Sequence, residues 1–271
     1  SRTAILRPWQ CVTLCRRLRA QRYDLAVQVS GGSTSGLIVT RLIGARYSMG
    51  SRKDDQRLYN IEVDAKSSHA YDFIVSLTRP LGVVCRNRPL LQLTVQERYQ
   101  AMEKIQQLIG LHSNHLSDSG FIAIFVGGHQ KKRWPLAFWL TLIDNLEAHR
   151  IRYIVFLGPE EFRLLAPIEQ HLMSSTYGYL CTPLPIRDFA AVLERARLLV
   201  TPDSGPMHLA AALDVATISL VRQKESLGFV PQEAYDITLW RPEVSTVVEA
   251  ILGNVDRQSS TVLEQTAAVI G

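Results

Sequence analysis

Residues 198–213 read LLVTPDSGPMHLAAAL. An apolar run ends at Thr201, and Pro202, Asp203, Ser204, Gly205 and Pro206 then form a tight turn into a helix that carries Ala210, Ala211 and Ala212. A buried strand that empties through a capping turn into a helix is the repeating unit of a parallel α/β sheet. In such sheets ligands bind at the carboxyl ends of the strands, where helix N-termini present unpaired amides and the positive end of the dipole. The chemistry of this chain is therefore sought in its strand-to-helix turns.

Outward from this stretch the same rhythm continues. The pattern predicts strands at Phe121–Val126, Tyr153–Leu157, near Tyr179, at Leu198–Thr201 and at Thr217–Val221. Helices are expected at 135–149, 160–171, 186–196 and 207–213, with a last one at 242–251 and a polar tail beyond Asn254. Upstream, Tyr23–Val29 and Ala45–Met49 read as strands, 33–43, 69–81 and 94–109 as helices, and 51–60 as loop. The segment GLHSNHLSDSG at 110–120 has no apolar period and is the best linker. The expected fold class is α/β, with a first domain over 1–115, a second, complete doubly wound domain over 116–255, and a tail over 256–271.

Length and composition agree with this division: 271 residues, 46% hydrophobic and 20% charged, allow two domains with real cores and exclude a disordered or disulfide-scaffold chain. The four cysteines, Cys11, Cys15, Cys85 and Cys181, form no Cys-x-x-Cys pair, so they read as free thiols and no metal is expected. No apolar run is long enough to span a bilayer, and no basic-then-apolar signal opens the chain. A soluble, cytoplasmic protein is the expectation. The net charge of +5 is concentrated early, with Arg2, Arg7, Arg16, Arg17, Arg19 and Arg22 in the first 22 residues. Such a patch suits an anionic partner or is a solvated helix face; nucleic acid ranks lowest, because no recognition motif accompanies it.

Three turns carry candidate chemistry. In 203–208, Asp203 can accept from sugar hydroxyls, the Ser204 and Gly205 amides can hold a diphosphate, and His208 can donate to a phosphate oxygen. The plain alternatives are an ordinary N-cap at Asp203 or Ser204 and a buried histidine satisfied by a carbonyl. In FVGGHQKKRWPLAFW, residues 125–139, a strand opens into Gly127 and Gly128, then Lys131, Lys132 and Arg133, and a helix begun by Pro135. Those cations suit phosphate charge, although a basic run is often only a solvated face. In LGPEEF, residues 157–162, Glu160 and Glu161 can take a ribose diol or can merely complement a helix dipole.

In this order the three turns resemble glycosyltransferase family 9, the heptosyltransferases. The matching motifs are Gly127-Gly128 with KRWP at 132–135, GPEE at 158–161 and DSGPMHLAAAL at 203–213, the last being the most specific. RYDLAVQV and LIGARYSMG upstream are similar to first-domain strands of that family. The resemblance implies a GT-B architecture, two Rossmann-like domains facing a cleft, and inverting transfer of heptose from ADP-heptose to the anionic inner core of lipopolysaccharide. Lys132 would stabilise the leaving diphosphate without metal or cofactor, Ser204, Gly205 and His208 would share that work, Asp203 would orient the heptose and Glu161 the ribose. Lys132, Asp203 and His208 are thus the implied catalytic set, with Gly127 and Gly128 in the donor turn. Arg16, Arg17 and Arg19 are expected to meet acceptor charge, with peripheral contact at the inner membrane face and a monomeric state. The family's general-base aspartate, in a Gly-Asp turn ahead of the region matching residue 1, has no counterpart, since Asp24 sits at a strand start. The start of the acceptor half is accordingly expected to be missing, or the base lost.

Other classes are weaker. VSGGSTSG at 29–36 is similar to the phosphate loop of ATP-pyrophosphatase adenylating enzymes but lacks the Asp-Ser pair. No Gly-x-Ser-x-Gly elbow supports a serine hydrolase. A non-catalytic nucleotide-sugar-binding relative is the remaining alternative.

Overall fold

A computed structural model describes residues 8–29, 33–52, 58–65, 67, 69–109 and 120–255. They divide into two compact units, 1–87 and 88–271.

The first unit opens with helix α1 (Pro8–Ala20), followed by strand β1 (Leu25–Val27), helix α2 (Thr34–Ile43), and strands β2 (Tyr47–Ser51) and β3 (Ile61–Val63). All three strands are parallel in the order β1-β2-β3. Helix α2 is fixed at both ends: Ser33 Oγ accepts from the Gly36 N–H at 3.2 Å, and Gly44, at φ 64°, closes it in the left-handed conformation that glycine adopts without steric cost. Helix α3 (Ala70–Thr78) is capped by His69 and runs into a 3-10 turn at Arg79–Leu81. Met49, Val63 and Leu77 form its small core. Strand β3 was not expected from sequence: Ile61, Glu62 and Val63 follow a charged stretch of which 53–57 lie outside the described residues.

The second unit holds a six-stranded, wholly parallel sheet in the order β6-β5-β4-β7-β8-β9. Its strands are β4 (Ile122–Phe125), β5 (Tyr153–Phe156), β6 (Gly178–Cys181), β7 (Leu198–Pro202), β8 (Ala216–Val221) and β9 (Ile237–Trp240). Every residue of β4, β5, β7 and β8 is buried, as befits strands covered on both faces. The period of two is clean: Ala123, Phe125, Ile154, Phe156 and Leu199 point to one face, Ile122, Ile124, Val155, Leu198 and Val200 to the other. Helices α4 (Val95–Ile109) and α7 (Ile186–Leu193) pack on the first face through Ala101, Ile105 and Phe189. On the opposite face lie α5 (Leu136–Ala148), α6 (Phe162–Leu172) and α9, over 244–255, through Trp139, Leu142, Ile168 and Val247. Helix α8 (Gly205–Ala212) follows β7.

Two features differ from the sequence reading. Strand β9 is a half-exposed edge strand, too short to stand out as an apolar run. The contact division falls between Asn87 and Arg88, whereas the linker chosen from sequence is 110–120, of which 110–119 lie outside the described residues. Helix α4 joins the second unit because Ala101 and Ile105 enter its core and Arg98 pairs with Glu194 at 2.7 Å. Among the described residues Cys11, Cys15, Cys85 and Cys181 form no disulfide, and burial pushes the Cys181 thiol up to about 11.

Candidate active site

The strand order places β4 and β7 side by side, with β5 and β6 on one flank and β8 and β9 on the other. Their carboxyl ends form the topological switch point of a doubly wound sheet, the position where such sheets bind ligands. Two of the turns singled out above leave from this point. The one after β4 runs through Gly127 and Gly128 into a 3-10 turn at Gln130–Lys132, and the one after β7 runs through Asp203 and Ser204 into α8.

Here Lys132 Nζ meets Asp203 Oδ2 at 2.5 Å, across 71 residues of sequence. Asp203 is 6% exposed and Lys132 about a third exposed, so the carboxylate is fixed while the ammonium keeps access to solvent. An ammonium carries three donors, and the pair with Asp203 uses one of them. The pair borders a concavity of about 490 Å³, entirely within the second unit, lined among others by Gly128, Glu161, Gly205 and His208.

The individual roles divide. Ser204 occupies the N-cap position of α8 without capping it; its hydroxyl lies 3.0 Å from that of Thr201. Ser204 thus does not make the cap expected at this turn; Pro206 has no N–H, the Met207 N–H donates to the Ser204 carbonyl at 3.1 Å, and Ser204 and Gly205 line the concavity. A Cβ built on Gly205 would meet nothing within 4 Å, so open space rather than packing surrounds that residue. His208 is half-buried on the wall of the concavity.

Glu161 is 4% exposed and its Oε1 accepts from the Gly128 N–H at 3.2 Å and from Arg133 Nη2 at 2.8 Å. Arg133 Nε also donates to the Gly128 carbonyl. Gly127 does not line the concavity: a Cβ there would come within 2.6 Å of the Glu161 carboxylate, so it is a packing glycine. Gly128, at φ 145°, needs glycine for its backbone. Trp134 packs, 4.4 Å from Phe138, with Arg222 stacked 5.3 Å over its ring. Pro135 precedes α5 as its N-cap residue.

Sequence reasoning missed the clamps. Arg133 was grouped with Lys131 and Lys132 as phosphate charge, yet it holds Glu161, and Arg222 was not singled out, yet its Nη1 donates to the Arg133 carbonyl at 2.6 Å. Lys131 is exposed on a different concavity. Arg16, Arg17 and Arg19 are exposed on α1, in the first unit. Asp24 is exposed just before β1, its carbonyl accepting from the Tyr47 N–H at 2.8 Å. Of the adenylating-enzyme loop, residues 30–32 lie outside the described residues, as do Arg2, Arg7 and the tail from 256. Among the described residues no group of three or more His, Cys, Asp or Glu side chains is placed to hold a metal ion, and no helix is long and apolar enough to cross a membrane.

The sequence model of glycosyltransferase family 9 (heptosyltransferase) matches residues 11–246. The chain belongs to that family. As a family 9 glycosyltransferase it is 22% identical to lipopolysaccharide heptosyltransferase 3 of Escherichia coli over 84% of this chain and 67% of that protein. Among solved structures it is similar to a glycosyltransferase family 9 protein of Veillonella parvula, with a TM-score of 0.71 at 19% identity over 91% of this chain and 78% of that one. It is also similar to an E. coli heptosyltransferase solved with ADP, with a TM-score of 0.64 at 19% identity over 91% and 78% of the two chains. The fold of this family 9 member is of the GT-B class, α/β with a parallel Rossmann-like sheet in each unit.

Proposed function

We propose that this glycosyltransferase moves heptose from ADP-heptose to an anionic lipopolysaccharide inner-core acceptor with inversion at the anomeric carbon. The observation that carries the reading is the Lys132–Asp203 pair at the switch point, beside the uncapped start of α8. A diphosphate placed there would meet the ammonium of Lys132, the amides at Ser204 and Gly205, and the His208 imidazole. Negative charge grows on the ADP leaving group as the glycosidic bond breaks, and preorganised positive groups lower that barrier most. No metal is needed in this scheme. Asp203, held by Lys132, orients a sugar hydroxyl, and Glu161, on the wall of the same concavity, accepts from the ribose diol. The relatives support the donor: one similar structure was solved with ADP and another with ADP-2-deoxy-2-fluoro heptose.

Arg16, Arg17 and Arg19 are proposed to meet acceptor carboxylates or phosphates, and the protein to work as a monomer in the cytoplasm, touching the inner face of the inner membrane. No residue is assigned as general base. Thermal melting with a panel of nucleoside diphosphates tests the donor half, because a ligand that binds only the folded state raises its stability by about 2.7 kcal/mol at a hundredfold excess over Kd. ADP should raise Tm well above UDP and GDP; equal shifts from all three would reject the donor assignment. Transfer from ADP-heptose to Kdo-lipid A, followed by mass spectrometry, tests the reaction and separates it from non-catalytic donor binding.

A further inference from the structure

A second concavity, about 650 Å³, opens at the carboxyl ends of β8 and β9, lined by Lys131, Arg222, Lys224, Glu225, Trp240 and Arg241 among others. Four cations face one carboxylate. The other arginines and lysines described in this unit's clamps are neutralised: Lys132 by Asp203, Arg133 by Glu161, Arg88 by Asp214, Arg98 by Glu194 and Arg187 by Glu97. None of Lys131, Arg222, Lys224 and Arg241 makes an ion pair among the described residues.

The two arginines are nevertheless held in place. Arg222 donates to the Arg133 carbonyl and stacks on Trp134. Arg241 donates from Nε to the Arg222 carbonyl at 3.3 Å, lies 5.2 Å over the Trp240 ring, and takes a left-handed backbone at φ 45°. Backbone carbonyls and aromatic faces orient these guanidinium groups without cancelling their charge, so their remaining N–H donors are available as forks for an oxyanion. Trp240, 43% exposed, adds an apolar ring at the rim, the surface on which a sugar's C–H face packs.

We propose that this concavity is an anion subsite for a phosphate or carboxylate carried on a saccharide, separate from the diphosphate cradle at Lys132. It rests on the transferase reading only in naming the acceptor as the molecule that brings the anionic sugar. Lys131 and Lys132, neighbours in one turn, then serve two different ligands.

The test uses the full chain saturated with ADP, titrated calorimetrically with mannose 6-phosphate, glucuronate, inorganic phosphate and neutral mannose. The charged sugars should bind at least tenfold more tightly than mannose, and mannose 6-phosphate more tightly than inorganic phosphate. The double variant K224Q/R241Q, which touches neither Lys132 nor Asp203, should weaken the charged sugars about tenfold and leave Tm and ADP affinity unchanged. W240A should weaken mannose 6-phosphate more than inorganic phosphate, because the ring both faces the sugar and orients Arg241. Displacement of ADP by mannose 6-phosphate, or indifference to K224Q/R241Q, would overturn the subsite; equal binding of inorganic phosphate and mannose 6-phosphate would overturn its sugar recognition. Failure of ADP to bind the wild type counts against the donor cradle alone, since the sugar titrations run equally well without it.

Discussion

Arg133 Nη2 holds Glu161 Oε1 at 2.8 Å, and through that one carboxylate the turns after β4 and β5 are locked together. The lock explains two glycines at once, because a Cβ at Gly127 or Gly158 would come within 2.6 or 2.5 Å of Glu161. It also gives Glu161 a structural duty whether or not it meets a ribose.

Arg133→Ala leaves a carboxylate that is 4% exposed without its cation. Removing one partner of a buried pair costs about 3–5 kcal/mol, and because Arg133 is itself 31% exposed a smaller loss, ~2–3 kcal/mol, is expected. Glu161→Gln keeps an acceptor for the Gly128 N–H and should cost only about 1 kcal/mol. Denaturant midpoints of the two variants check the order; a more stable R133A than E161Q would contradict the clamp.

Gly205→Ala separates ligand space from packing. The added methyl meets no protein atom within 4 Å, so Tm should stay within a degree or two of wild type. ADP affinity should fall about tenfold, roughly 1.4 kcal/mol, if the diphosphate lies against that amide. Unchanged affinity would move the nucleotide elsewhere.

Lys132→Ala should lower kcat for transfer by roughly 10²–10³, the loss typical when one preorganised charge-stabilising group is removed. It also strips the buried Asp203 of its partner, so a fall in stability of about 1–3 kcal/mol should accompany it. Steady-state kinetics well below the melting point of the variant tell the two effects apart. Lys132→Arg, which retains charge near Asp203, should recover part of kcat.

Replacing Arg16, Arg17 and Arg19 together by alanine should raise the acceptor KM and leave donor affinity unchanged. All three are exposed on α1, so folding should not be affected. An unchanged acceptor KM would reject their role.

Much of the second unit was readable because β4, β5 and β7 are largely apolar runs that end in Gly or Pro turns, the signature of strands buried on both faces. The turns themselves announced the site through glycines, prolines and cations packed into a few positions. Pairings were not readable. Nothing local indicates that Lys132 reaches Asp203 while its neighbour Arg133 reaches Glu161, since both depend on which strands lie side by side. The same holds for α4, whose assignment to the second sheet rests on the distant partners Glu194 and Arg187. Strands β3 and β9 escaped because three or four half-exposed residues produce too little period to separate from loop.

Asp236 provides a pH signature of the edge near β9. Its Oδ1 accepts from the Thr217 N–H at 3.0 Å and its Oδ2 from the Glu233 N–H at 3.1 Å. Burial pushes its carboxyl up to about 6, with the nearby Glu233 charge adding and the two backbone bonds and Arg88 opposing. The folded state thus keeps a proton that the unfolded chain releases near the ordinary value of 3.8. Stability from this group is fully present below pH 3.8 and is lost as pH rises through about 6, because there the unfolded state binds fewer protons than the native one. Glu97, held down at about 2 chiefly by Arg187, has the opposite sign and acts only below about pH 4.5, so the two windows hardly overlap. Asp236→Asn keeps an oxygen for the Thr217 N–H and removes the titration. The Tm of wild type minus that of D236N should therefore fall steadily between pH 4 and pH 6.5 and level off above it; a difference independent of pH would show that the carboxyl titrates alike in the folded and unfolded chain.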